Sequence, residues 1–159
     1  MAERVYIETT VVSYLTARAS RDVIIAGHQQ VTHEWWDTRR SDYELCISQL
    51  VLDEAGAGDL QAAQERLAVL HPMLVLETTE AALDLARGLL HAGALPTKAT
   101  DDALHIAIAA SKAIPFLLTW NCRHLANAAM RPVIEKVCST NGFKAPIICT
   151  PEELLGAKP

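Results

Sequence analysis

The chain has 159 residues, half of them hydrophobic and only 5% aromatic, with 14 Lys and Arg against 19 Asp and Glu for a net charge of −5. That length favours one domain, 1–159, with a core built from Ala, Leu, Ile and Val. The acidic balance argues against a broad basic face for nucleic acid, though not against a phosphate substrate held by a metal, and no stretch is apolar for long enough to span a bilayer.

Arg4-Val5-Tyr6-Ile7-Glu8 reads as a short buried strand ending on an acid, after a start that lacks a signal-peptide pattern; the expectation is a soluble, cytoplasmic protein. Thr9 or Thr10 is then expected to cap a helix through Leu15. Ser20 opens a long helical stretch in which Ile24, His28, Val31 and Trp35 fall on one stripe, widened by Trp36. The stripe reads as a packing face, with the tryptophan pair as an alternative partner surface.

Glu44 to Ile47 forms a second short strand, after which Ser48 caps Gln49 to Ala55 and Gly56 ends the helix. Here helical geometry separates two acids. Glu54 shares its side with Leu50 and Val51 and so faces inward, whereas Asp53 lies away from them. An amphipathic helix follows from Asp59 to His71 with Leu60, Ala63, Leu67 and Leu70 as its stripe, then a third strand at Leu74 to Leu76. Thr79 opens a helix to His91 or Ala92, stopped by Gly93 and Pro96.

The helix from Thr100 is the most telling element. From Ala103 to Ala110 only His105 is not apolar, yet the first turn carries Asp101 and Asp102. A helix apolar nearly all round belongs inside a domain. Asp102 shares the apolar side with Ile106, Ala109 and Ala113; Asp101 shares what reads as the wetter side with His105 and Lys112. Asp102 is therefore the site candidate, and Asp101 a first-turn acid complementing the helix dipole.

Phe116 to Trp120 is a fourth strand, with Asn121 as N-cap of the next helix or as a functional group; Arg123 and His124 lie close enough to the same strand end to approach a phosphate. Ala145 to Cys149 makes a last edge strand, suited by Pro146, and Thr150-Pro151 opens a final helical turn. The four cysteines are scattered without a Cys-x-x-Cys pair and read as free, mostly buried thiols. Strands alternating with helices give an α/β fold with helices on both faces of a mostly parallel sheet of four or five strands.

Three inward-leaning acids, Glu8, Glu54 and Asp102, thus stand at the starts or ends of elements, with Asn121 at a fourth strand end. Clustered carboxylates repel and raise one another's pKa values. A hard divalent cation removes that conflict and suits metal-assisted phosphodiester hydrolysis.

The segments Tyr6-Ile7-Glu8-Thr9-Thr10-Val11-Val12, Ile47-Ser48-Gln49-Leu50-Val51-Leu52-Asp53-Glu54, Asp102-Ala103-Leu104-His105-Ile106-Ala107-Ile108-Ala109 and Leu117-Leu118-Thr119-Trp120-Asn121, in that order, resemble the PIN domain, and within it the VapC-like toxins of bacterial type II toxin–antitoxin pairs. The resemblance implies a Rossmann-like three-layer α/β/α fold and an Mg²⁺- or Mn²⁺-dependent endoribonuclease. It also implies a homodimer held inactive by a cognate antitoxin that packs over the helices beside the site. Glu8, Glu54 and Asp102 match the family's metal-binding acids, and Asn121 a position that is often a fourth Asp. Thr10 falls at the small polar position two residues after the first acid, where it would orient metal-bound water or phosphate together with Asn121. Position 8 is normally Asp, and Asn121 carries no charge. These departures motivate the alternative of a PIN-like module that binds RNA or a partner protein without cutting.

Overall fold

The computed structural model describes residues 2–156. Five strands, β1 (Glu3–Ile7), β2 (Tyr43–Ser48), β3 (Leu74–Leu76), β4 (Phe116–Leu118) and β5 (Ile147–Cys149), form one sheet in the order β3-β2-β1-β4-β5. Every pairing is parallel, so the expected mostly parallel sheet is wholly so. Parallel strands need crossovers, and helices provide them: α1 (Thr9–Thr16) and α2 (Val23–Thr38) after β1, α3 (Gln49–Ala55) and α4 (Leu60–Leu70) after β2, α5 (Glu80–His91) and α6 (Thr100–Ser111) after β3, α7 (Arg131–Thr140) after β4. Helices α1 to α4 pack among themselves, and α5 packs on α6 and α7, giving the α/β/α layering.

The central strands are covered on both faces. Val5, Tyr6, Ile7, Cys46, Ile47, Leu117 and Leu118 are all buried, the continuous apolar pattern expected of such strands. Helix α6 is the innermost helix: all residues from Ala103 to Ala110 except Leu104 are buried. Its small side chains let it lie close to β4 and α5. It ends where Ala113 takes a left-handed conformation at φ 54°.

The local signals placed most elements correctly and erred in identifiable places. Asp22, Ser48, Asp59 and Thr79 cap their helices through side-chain oxygens. At α1 the cap is neither threonine but Glu8, whose carboxylate accepts the Thr10 N–H at 3.2 Å. Ile24 and Leu60, expected on packing stripes, are 70% and 73% exposed, because each lies in the first turn of its helix beyond the reach of the core. Trp35 is fully buried, so the tryptophan stripe is a packing face.

The residues after Asn121 form turns rather than a helix, and the next helix, α7, opens ten residues later with Pro132 in its first turn. That helix had no place in the sequence reading, although Ile134, Val137 and Cys138 do fall at helical spacing and are buried. After Thr150 the chain makes turns in which Thr150 and Glu153 cap one another, in place of the expected helical turn.

Candidate functional site

The connections β1-β2-β3 step one way across the sheet and β4-β5 the other, so the order reverses between β1 and β4. At such a reversal the loops beyond the carboxyl ends of the two strands diverge and leave a crevice. Glu8 directly follows β1 there, and its N–H donates to Leu118 O at 3.0 Å, tying it to the end of β4.

Glu8 is only 4% exposed. Its Oε1 accepts the hydroxyls of Thr10 and Thr119, the latter at 2.6 Å. Each hydroxyl is itself oriented by a backbone amide: Trp120 N–H donates to Thr10 Oγ1 at 2.8 Å, and Asn121 N–H to Thr119 Oγ1 at 2.9 Å. Burial pushes the Glu8 carboxyl above the ordinary carboxylate range, and the nearby His105 with these hydrogen bonds offsets only part of that.

Glu54 reaches the same place from the end of α3. Its Oε1 accepts the Thr9 hydroxyl and the Nε2–H of His105, both at 2.7 Å. Burial acts upward on this carboxyl too, but the hydrogen bonds from His105 and Thr9 outweigh it, so Glu54 sits below the ordinary range. The ligand atoms of Glu8, Glu54 and His105 all lie within 4.8 Å of one another. Two carboxylates at that separation, one of them backed by an imidazole, could hold a divalent cation, and a buried carboxylate with a raised pKa is the group such a charge would relieve.

Asp102 stands in the first turn of α6 but outside this cluster of three. Its Oδ1 accepts the Asn121 side-chain amide at 3.1 Å, and its Oδ2 lies 2.8 Å from His124 Nδ1. Asn121 Oδ1 in turn accepts the His124 backbone N–H at 3.0 Å, so Asn121 caps this turn while holding Asp102. The two groupings meet through Asn121, whose N–H bonds the same Thr119 hydroxyl that serves Glu8. Glu8, Thr10, Asp102 and Asn121 are therefore one hydrogen-bonded assembly, and Glu54 is held beside it by the hydroxyl of Thr9, the chain neighbour of Glu8 and Thr10. Arg123 lies exposed on the adjoining turn.

His105 corrects the reading of α6. It was expected on the wetter side with Asp101, but it is fully buried while Asp101 is exposed. The usable signal was the lone polar side chain in an otherwise apolar run. Thr9, Thr119, Tyr6 and Ser48 also belong to the assembly, and sequence reasoning assigned none of them a role at the site.

Beside the assembly, Trp120 Nε1–H donates to Thr32 Oγ1 at 2.7 Å, and its ring stacks on His28 at 4.1 Å between centroids, with Tyr14 next to both. This aromatic group locks the segment after β4 against α1 and α2.

No protein-family model matches the chain, and no curated protein matches it in sequence. Among solved structures it is similar to a chain of the crystal structure of VapBC2 from Rickettsia felis bound to a DNA fragment from their promoter. Sequence identity is 14%, the match covers 92% of this chain and 98% of that one, and the TM-score is 0.60. At this identity the likeness is one of fold. The chain has a VapC-like PIN fold, as its four motifs implied.

Proposed function

We propose that the chain is an Mg²⁺- or Mn²⁺-dependent endoribonuclease and the toxin of a toxin–antitoxin pair. The observation that carries this reading is the convergence of Glu8 and Glu54 at the sheet's switch point, with Asp102 and Asn121 joined to Glu8 by hydrogen bonds through Thr119. Glu8 and Glu54 would hold the ion, with Asp102, in the first turn of α6, as the third acid of the site. A divalent ion in such a site supplies positive charge to the phosphoryl oxygens and makes water a better nucleophile near neutral pH. Thr10 and Thr119 keep the Glu8 carboxylate in place; Asn121 does the same for Asp102. Arg123, exposed on the adjoining turn, would bind an RNA phosphate.

The fold and the surface support the partner reading. The similar solved structure is named as a VapBC2 complex, and here the first turn of α2 presents Val23 and Ile24 at 85% and 70% exposure, with Ile25 beside them. An antitoxin segment covering these helices would bury that apolar surface. A homodimer in the cytoplasm completes the proposal. No helix among the described residues is long and apolar enough to cross a membrane.

The direct test is RNA cleavage with Mg²⁺ or Mn²⁺ by wild type and by Asp102→Asn. Wild-type cleavage that is abolished by EDTA and reduced at least tenfold by the substitution is expected; cleavage untouched by either would overturn the site. The second reading, a PIN-like module that binds without cutting, draws on the many protein partners already held by Glu8 and Asp102. It predicts no ion binding by calorimetry and no growth arrest on expression.

A further inference from the structure

Tyr6, Ser48 and His105 are polar residues with no exposure at all, and they form one line through the core. Ser48 Oγ lies 2.7 Å from Tyr6 Oη, Tyr6 Oη lies 2.7 Å from His105 Nδ1, and His105 Nε2 lies 2.7 Å from Glu54 Oε1. Four elements contribute: β1, the end of β2, α6 and α3. Such a line is tolerated because every member is bonded, but stability alone does not require it, since apolar replacements of matching shape are often neutral or better. What distinguishes the line is where it ends, on a carboxylate of the site.

We infer that His105 is a positioning residue for Glu54 and not a ligand of the ion, with Tyr6 and Ser48 fixing its ring. The inference rests on the divalent-ion reading above. Both ring nitrogens are already engaged, and the ring is sealed in the core, so an ion could reach Nε2 only by displacing Glu54 from it. Glu54 Oε2, by contrast, makes no hydrogen bond with the described residues. One arrangement of donors uses every hydroxyl proton: Ser48 donates to Tyr6, Tyr6 donates to Nδ1, and Nε2–H donates to Glu54. The familiar pairing, in which a histidine holds the metal and a carboxylate stands behind it, is thereby reversed. The carboxylate faces the ion, and the histidine aims it. The ion then meets an oxygen donor set led by Glu8 and Glu54, which favours Mg²⁺ or Mn²⁺ over zinc.

The experiment titrates Mn²⁺ into wild type, His105→Gln, His105→Leu and Tyr6→Phe, reading affinity by calorimetry and coordination by pulsed electron paramagnetic resonance. Expected are a wild-type spectrum with no nitrogen coordinated from residue 105 and an affinity about 10- to 100-fold weaker in His105→Leu, the range seen on removing such supporting groups. His105→Gln, which keeps an N–H for Glu54, should recover part of that loss, and Tyr6→Phe should weaken binding by a smaller factor with the fold intact by circular dichroism. A coordinated nitrogen that disappears in His105→Gln would overturn the inference by making His105 a ligand. So would wild-type affinity in both His105→Leu and Tyr6→Phe; if His105→Leu does not fold, an unchanged Tyr6→Phe decides it. Absence of Mn²⁺ binding by wild type would instead refute the ion reading itself, and the positioning role with it.

Discussion

Thr119 donates its hydroxyl to Glu8 Oε1 at 2.6 Å across a separation of 111 residues, and the same hydroxyl accepts the N–H of Asn121. One side chain therefore joins the acid after β1 to the segment after β4. A threonine suits this position because its hydroxyl is donor and acceptor at once, while its methyl group packs as an apolar atom.

Replacing Thr119 by Val keeps the shape and removes both bonds. Because the Glu8 carboxylate and the Asn121 amide would each lose a partner, the loss should be about 1–3 kcal/mol, read from urea denaturation in EDTA. A midpoint equal to wild type would show that Thr10 alone suffices to hold Glu8.

Glu8 and Glu54 should leave opposite marks on the pH dependence of stability. Burial raises Glu8 above its unfolded value, so its favourable contribution is complete below the unfolded pKa and is lost as pH rises through the folded one. The stability of Glu8→Gln relative to wild type, both in EDTA, should accordingly improve as pH increases from about 3 to 7. A difference that stays flat across this range would mean that Glu8 is not desolvated.

For Glu54 the sign reverses. Its pKa is lowered on folding, so its contribution is present above the unfolded value and fades as pH falls through the folded one. Glu54→Gln should be less stable than wild type near neutrality, and the gap should close on acidification. A gap that widened in acid would contradict the pairing with His105.

Ion binding to the folded state alone should stabilise it by mass action. Mn²⁺ at 100 times its dissociation constant is worth about 2.7 kcal/mol, visible as a raised melting temperature in wild type. Glu8→Gln and Glu54→Gln should lose most of that increment, whereas Asp53→Asn, altered at an exposed residue beside the site, should keep it.

The thiols offer an independent check of the core. Cys122 is exposed, while Cys46, Cys138 and Cys149 are buried, and burial pushes Cys138 up to about 11 and Cys149 up to about 12. A thiol-disulfide reagent at neutral pH should modify Cys122 rapidly and the other three only on unfolding. Rapid reaction of more than one thiol in the native protein would mean that the packing around β2, α7 or β5 is looser than described.

What sequence alone could determine was whatever short-range chemistry encodes. The helical character of α4 and α5, the cap at Ser48 and the apolar central strands all follow from interactions within a few residues, and each formed close to where it was expected. The inward lean of Glu54 against the outward lean of Asp53 is likewise a matter of helical spacing. Tertiary structure decided how the acids are used. Thr9 and Thr10 are residues of the kind that usually cap helices, yet the Thr9 hydroxyl serves Glu54, which α3 brings within reach, and the Thr10 hydroxyl links Glu8 to the Trp120 N–H beyond β4. His105 looked solvent-facing beside Asp101 until Tyr6 and Glu54, 99 and 51 residues away, supplied partners on both sides of its ring. A buried polar side chain is stable only among partners, and those partners were distant in sequence and adjacent only after the sheet had assembled.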